Sequence, residues 1–322
     1  GDTRCFGKHT VTFLMAQMVH WPEAMVTFDT TNGVLFSADA FGSFGSLDGR
    51  LFDDEVNFDR DWIDNARRYF TNIVGKYGPF VQQLLAKAKT APIKMFCPLH
   101  GPVWRTNLGY YLDKHDKWSR YIPEENGVMI VYASMYGNTE SAAQALAAQL
   151  CEKRVTNVRV YDVSKTHVSY LVAEAFKYSH IVLASVTYNL NIYPVMEDFL
   201  HHLKVLNLSK RVFGIIENGS WAIKSGSLME QYIDENLKDC KILNARMTIN
   251  SSANRSNASE LDALSDAIVK SVAIEEKAFE QRVIDDAAFA EEEARKAAFK
   301  KLSAKERMAL MREKHRQEKG EA

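Results

Sequence analysis

An α/β chain is predicted: a doubly wound sheet of five parallel strands, preceded by part of a layered α/β domain and followed by a charged helical tail. Three observations carry this. Between residues 128 and 273, apolar runs alternate strictly with helix-forming segments. Between residues 1 and 121, strands come first and helices follow, with one late strand. From residue 274 onward the composition turns to Ala, Glu, Lys and Arg. The expected units are 1–121, 122–273 and 274–322.

In the first unit, residues 12–18, 24–28 and 34–36 read as strands, with Thr31-Asn32-Gly33 turning between the last two. Residues 60–77 and 80–89 read as helices split by Gly78-Pro79, and 93–97 as a strand. Residues 104–121, with Trp104, Tyr110, Tyr111, Leu112 and Trp118, read as a helix and crossover, and 121–127 as the linker. In the second unit, strands fall near 128–132, 157–162, 180–185, 210–216 and 241–249. Its helices fall near 139–152, 168–178, 194–204, 226–238 and 259–273. Ligands of such sheets bind beyond the carboxyl ends of the strands, which selects the loops 134–139, 185–193 and 217–225. In the tail, Val283, Ala287, Ala290, Ala294 and Ala298 form a weak apolar stripe. Ser303-Ala304-Lys305-Glu306 reads as a capping box opening a second helix, and a solvated charged helix is expected there.

The 322 residues suit two domains plus an appendage, and 46% hydrophobic content is enough for ordinary cores. A net charge of -1 gives no electrostatic case for nucleic acid or an anionic membrane. No apolar run is long enough to span a bilayer, so no membrane role is expected. Cys5, Cys97, Cys151 and Cys240 are scattered and form no C-x-x-C, which argues against a disulfide scaffold, a cysteine zinc site or a fused rubredoxin. A reducing cytoplasm is the expected location. The chain starts at Gly1 rather than Met, so a fragment or processed chain is expected.

The segment Ala133-Ser134-Met135-Tyr136-Gly137-Asn138-Thr139-Glu140 joins a buried strand to a helix rich in Ala, Gln and Leu. A strand, a tight hydroxyl-rich loop with Gly137, then a helix, makes a phosphate cradle. Backbone N–H groups and the positive helix end meet the anion, with Ser134 and Thr139 as hydroxyl donors. No Lys follows Gly137, which excludes the nucleoside-triphosphate loop, and no G-x-G-x-x-G is present, which excludes the dinucleotide fingerprint. The pattern from Ser134 to Thr139 resembles the way flavodoxins hold the phosphate of FMN. Ser185-Val186-Thr187-Tyr188-Asn189 follows the third strand of this unit, where hydroxyl and amide groups can meet the polar edge of the flavin ring and Tyr188 can cover its face. Glu217-Asn218-Gly219-Ser220-Trp221 follows the fourth, with Gly219 allowing close backbone approach and Ser220 and Trp221 completing the loop, the indole as a second stacking surface.

Three upstream residues stand at strand ends: His20 in Met18-Val19-His20-Trp21-Pro22-Glu23, Asp39 in Ser37-Ala38-Asp39-Ala40-Phe41-Gly42, and His100 in Pro98-Leu99-His100-Gly101-Pro102. Imidazole suits iron and zinc, and a carboxylate can bridge two metals. The other histidines lack such settings. His115, His167, His201, His202 and His315 are expected to be solvated, and His180 to flank a strand.

These motifs, with Gly7-Lys8-His9-Thr10, run in one order over residues 7 to about 272, and the chain resembles the flavodiiron proteins, or A-type flavoproteins. The resemblance implies a metallo-β-lactamase-like domain carrying two non-haem irons, then a flavodoxin-like domain carrying FMN. It implies reduction of O₂ to water, of NO to N₂O, or both. Carried over, His20 would ligate one iron, His100 the other, and Asp39 would bridge them. It further implies head-to-tail homodimers or homotetramers, with rubredoxin or a flavin reductase as electron donor. The family's H-x-E-x-D-H motif is absent from this sequence. An N-terminally truncated piece, a split protein and a degenerate homologue all account for that. Two other functions stay open: a flavodoxin-like electron carrier with an inert companion domain, and a zinc hydrolase of the metallo-β-lactamase class, against which the flavin loops count. No catalytic acid, base or nucleophile is assigned.

Overall fold

Thr3–Phe6 (β1) and His9–Met15 (β2) form an antiparallel hairpin that the sequence reading misses at its first strand, because Thr-Arg-Cys-Phe shows no apolar alternation. Met25–Asp29 (β3) and Val34–Ala38 (β4) extend the sheet antiparallel, and Met95–Pro98 (β5) closes it parallel to β4. The turn expected at Thr31-Asn32-Gly33 forms. Gly33 has φ of 74°, its N–H bonds Asp29 O at 2.8 Å, and a β-carbon there would meet Pro92 O at 2.9 Å.

Val26, Phe28, Leu35 and Phe96 alternate toward the core and are at most 5% exposed. They pack on helices Phe58–Asp61 (α1), Ile63–Tyr69 (α2), Gly78–Thr90 (α3) and Leu108–Ser119 (α4). The helix expected over 60–77 is broken. A π-helical turn, Phe70–Val74, and a 3₁₀ turn, Gly75–Tyr77, follow α2, and Gly75 has φ of 42°. Gly78-Pro79 does not separate the helices but opens α3, where proline's missing N–H costs nothing.

The opposite face of this sheet is apolar and open. Met15, Met25 and Phe36 are about half exposed, although Phe36 lies on β4 between two paired strands. Replacing Phe36 by Ser is expected to reduce concentration-dependent self-association in sedimentation velocity. It should change stability by less than about 1 kcal/mol, because the ring is not part of the buried core.

The second sheet contains Glu125–Ala133 (β6), Val158–Asp162 (β7), Tyr178–Tyr188 (β8), Asn191–Ile192 (β9), Val212–Gly219 (β10) and Lys241–Asn250 (β11). Its order is β11-β10-β8-β6-β7, all parallel. The expected five strands are joined by β9, a two-residue antiparallel partner of β8. Asn138–Glu152 (α5), Val168–Lys177 (α6), Pro194–Val205 (α7), Ser225–Asn236 (α8) and helix 258–277 (α9) connect the strands and complete the repeat. Val128 to Val131 on β6 have no exposed surface, as a central parallel strand covered on both faces requires. In chain order the strands read 2-1-3-4-5, so the order reverses between β6 and β8. A crevice opens there at the carboxyl ends.

The computed structural model describes residues 1–277 and 281. The apolar stripe from Val283 and the capping box at Ser303 lie outside them. Residues 1–272 form one compact unit. Among the described residues, no helix is long and apolar enough to cross a membrane.

Candidate functional site

The crevice at the β6–β8 switch is a cleft of about 250 Å³, lined by residues from three loops and one further strand end. Ser134, Met135, Tyr136, Asn138 and Thr139 follow β6, Val186 and Thr187 end β8, Asn218, Gly219 and Ser220 end β10, and Ser251 follows β11. Gly137 is the residue before α5 and sits at φ of 85°, which aims the loop's backbone into the helix start. Its N–H bonds Ser134 Oγ at 3.0 Å. No side chain caps α5, so the first-turn N–H groups are left for a ligand.

The third loop is pinned. Thr187 Oγ1 accepts from the N–H groups of Lys224 and Ser225 at 3.0 and 3.1 Å, and Ser225 Oγ donates to Ser185 O at 2.8 Å. Glu217, 6% exposed, accepts from Gly226 N at 3.0 Å, Thr248 Oγ1 at 3.0 Å and Arg246 at 3.2 Å. Of the expected cofactor residues, Gly137, Tyr188, Asn189 and Trp221 stand outside the lining. Tyr188 packs near Tyr193 with centroids 5.8 Å apart, and Trp221 is 80% exposed. Val186, Asn218 and Ser251 line the cleft without having been singled out in the sequence. The residues fit FMN: an uncapped helix start and hydroxyls at one end, a pinned turn at the other. Asn218 also lines the cleft, its Nδ2 donating to Thr139 Oγ1 at 3.2 Å and Ser251 O at 3.1 Å.

The upstream trio also converges. Asp39 is placed by a bulge: Phe36 pairs with Cys97 but Ala38 with Pro98, so Ser37 is the extra residue, and Ala38 turns at φ of 51°. Ser37 Oγ and N–H bonds around Ala40 lock the turn. His100 is held where Leu99 N donates to Ala38 O and Ser43 N donates to His100 O. Asp39 then lies between two imidazoles, Oδ1 3.2 Å from His100 Nε2 and Oδ2 3.4 Å from His20 Nε2. His20 and His100 border a cleft of about 660 Å³, with Tyr69 in its wall. Burial, then the nearby Asp39 charge, push the pKa of the Tyr69 phenol well up, so the proton stays on the phenol at neutral pH. Tyr69 reads in the sequence only as a helix aromatic. The trio is one imidazole on each side of a shared carboxylate. Among the described residues, no group of three or more His, Cys, Asp or Glu is arranged to hold a metal ion, so a binuclear site is not complete here.

His115 corrects its expectation. It is 5% exposed, not solvated, and rings of Phe41, Phe70, Tyr111 and Trp118 surround it at centroid distances of 4.5–5.6 Å. Its Nδ1 bonds Tyr111 O at 3.0 Å, and burial lowers its pKa to about 4, so it is a neutral core residue.

Known proteins share this fold. The flavodoxin family model matches residues 130–242. The anaerobic nitric oxide reductase flavorubredoxin of Vibrio vulnificus is 30% identical over 218 residues, 67% of this chain and 43% of that protein. That match is longer than the segment 130–242 covered by the flavodoxin model. The chain is homologous to the flavodiiron proteins. In solved structures, the rubredoxin oxygen:oxidoreductase of Desulfovibrio gigas superposes with a TM-score of 0.78 at 23% identity, covering 85% of this chain and 68% of that one. The flavodiiron protein of Giardia intestinalis gives 0.76 at 22%, covering 85% and 66%. These share the fold. This flavodiiron homologue spans about half the length of the curated relatives it matches. Those with a named activity are oxidoreductases.

Proposed function

We propose that the chain works in an FMN-dependent flavodiiron oxidoreductase that reduces O₂, NO or both. The observation that carries the reading is Asp39 bracketed by His20 and His100 in a chain that also holds the flavin cleft. Ser134, the first-turn N–H groups of α5 and Thr139 would hold the phosphate of FMN, and Thr187, Gly219 and Ser220 the ring. Bound FMN supplies one- and two-electron redox chemistry. His20 and His100 would each give one nitrogen to a metal and Asp39 would bridge, with further ligands needed from outside this set. The proposed units remain 1–121, 122–273 and 274–322. The proposed setting is cytoplasmic, in a head-to-tail homodimer or homotetramer, with rubredoxin or a flavin reductase as donor. The second reading, an FMN electron carrier beside an inert metal domain, is favoured by the incomplete ligand set among the described residues.

Iron and FMN per chain, measured after anaerobic preparation, separate the two. About two irons per FMN, as a binuclear site needs, supports the oxidoreductase. FMN with little iron leaves the carrier reading. Iron content should then fall in Asp39→Ala with flavin content unchanged. Loss of flavin with the iron would sink the assignment of separate sites.

A further inference from the structure

We propose that the buried hydroxyl of Ser37 is a positioning residue for the upstream trio: by closing the turn that carries Asp39, it sets where the carboxylate stands between His20 and His100. This rests on the metal reading of the trio. Ser37 is the extra residue of the bulge between β4 and β5 and has no exposed surface. Bulges of this kind re-aim a side chain where a strand ends beside a site. Ser37 and Ala40 exchange two hydrogen bonds across the turn. Ser37 Oγ donates to Ala40 O at 2.7 Å, and Ala40 N donates to Ser37 O at 3.0 Å. Asp39 lies inside that loop, directly after Ala38, whose φ of 51° is uncommon for a residue with a β-carbon. A backbone in that region persists only where its surroundings fix it.

The carboxylate has little tolerance for displacement. Its two oxygens face different imidazoles, Oδ1 3.2 Å from His100 Nε2 and Oδ2 3.4 Å from His20 Nε2, so a rotation of the turn moves both at once. His100 is tied to the same turn, since Leu99 N donates to Ala38 O at 2.9 Å and Ser43 N to His100 O at 3.2 Å. Phe41 anchors the far side, stacked on Phe96 with centroids 4.6 Å apart. Without the Ser37 hydroxyl, Ala40 O loses its donor in a buried turn, and the turn closes on one bond instead of two. The carbonyl can then seek a donor only by rotating the peptide one residue beyond Asp39. Supports one step behind a metal ligand set its geometry, and removing one costs about 10- to 100-fold in metal affinity. The low end is expected here, because the hydroxyl acts through backbone.

The test is titration of the full chain with Co²⁺, followed by visible absorption, in the wild type, Ser37→Ala and Val26→Ala. Val26 is a core residue of β3, 1% exposed, and controls for lost stability alone. Ser37→Ala is expected to bind Co²⁺ about tenfold more weakly, with an altered absorption envelope, while Val26→Ala binds it as the wild type does. Unchanged affinity in Ser37→Ala, or equal losses in the two variants, means that Ser37 only supports the fold, and the proposal fails. If circular dichroism shows Ser37→Ala unfolded, Ser37→Cys, which fills similar space with a weak donor, takes its place with the same expected and overturning results. A wild-type chain that takes up no Co²⁺ overturns the metal reading of the trio itself.

Discussion

Replacing Glu124 by Ala is expected to lower the melting temperature by roughly 10 °C while leaving flavin affinity unchanged. Glu124 follows α4 and precedes β6, where the first sheet's helices meet the second sheet. Its side chain is 3% exposed, and three donors converge on it: Arg67, whose side chain is 2% exposed, Lys114 Nζ at 3.0 Å and Trp118 Nε1 at 2.6 Å. Arg67 also reaches Asp64 at 2.7 Å and Glu174 at 3.7 Å, but Asp64 is mostly exposed and Glu174 is distant. Without Glu124 a buried guanidinium and a buried indole N–H lose their main acceptor. Breaking one side of a buried pair costs about 3–5 kcal/mol, because the remaining charge has no water. Burial alone would raise the Glu124 pKa. The Arg67 charge and hydrogen bond, then Lys114 and Trp118, outweigh it and hold the carboxyl down to about 2. A depressed carboxyl contributes stability that is complete above its unfolded pKa and is lost as pH falls through the folded one. The gap between wild type and Glu124→Gln should therefore be constant above about pH 5 and close between about pH 4.5 and 2. Chemical denaturation at stepped pH measures it. A gap that persists at pH 2, or none at pH 7, contradicts the account. The cleft lies at the carboxyl end of β6 and Glu124 at its amino end, which is why flavin binding should not respond.

How much of this was legible in the sequence depended on whether a residue's role was local. The alternation from 128 to 273 is periodic, and the strands and helices fall where it places them to within a few residues. Ser134 to Thr139 form a contiguous motif whose proposed role follows from strand, loop and helix in succession. His20, Asp39 and His100 stand out as polar residues at strand ends, and the structure brings them together. Asn218 was harder to see. It reads as loop chemistry after Ile215-Ile216, yet β10 continues through Gly219, and the partners of its amide nitrogen, Thr139 and Ser251, are each far away in sequence. Tyr69 and His115 fail for a related reason. A helix position shows its spacing in sequence, but not whether its tip meets Asp39 or an aromatic cage. The break at Gly75 depends on a positive φ that a glycine permits without announcing.

Gly219→Ala is expected to weaken FMN binding about 10- to 100-fold with the fold retained. A β-carbon built on Gly219 would stand 2.4 Å from Ala222 O and 3.2 Å from the Ile223 Cα, both backbone atoms. The clash could be relieved only by moving the loop between β10 and α8, and that loop has little freedom. Gly219 O accepts from Ser251 N at 2.8 Å, the Lys224 and Ser225 N–H groups bind Thr187 Oγ1, and Gly226 N binds Glu217. Relief must therefore come from the segment 219–223, which includes two residues of the cleft wall, Gly219 and Ser220. An overpacked site costs about 1–3 kcal/mol, and here the displaced atoms are those that would meet the flavin. If affinity stays within about twofold of wild type, the loop yields without moving the cleft wall, and Gly219 has no part in holding the ring. If affinity falls and circular dichroism shows the sheet intact, the close approach of backbone at the end of β10 is what shapes the site. The same loss should appear with riboflavin, which lacks the phosphate, because the strain arises at the ring end and not at the cradle formed by Ser134 to Thr139.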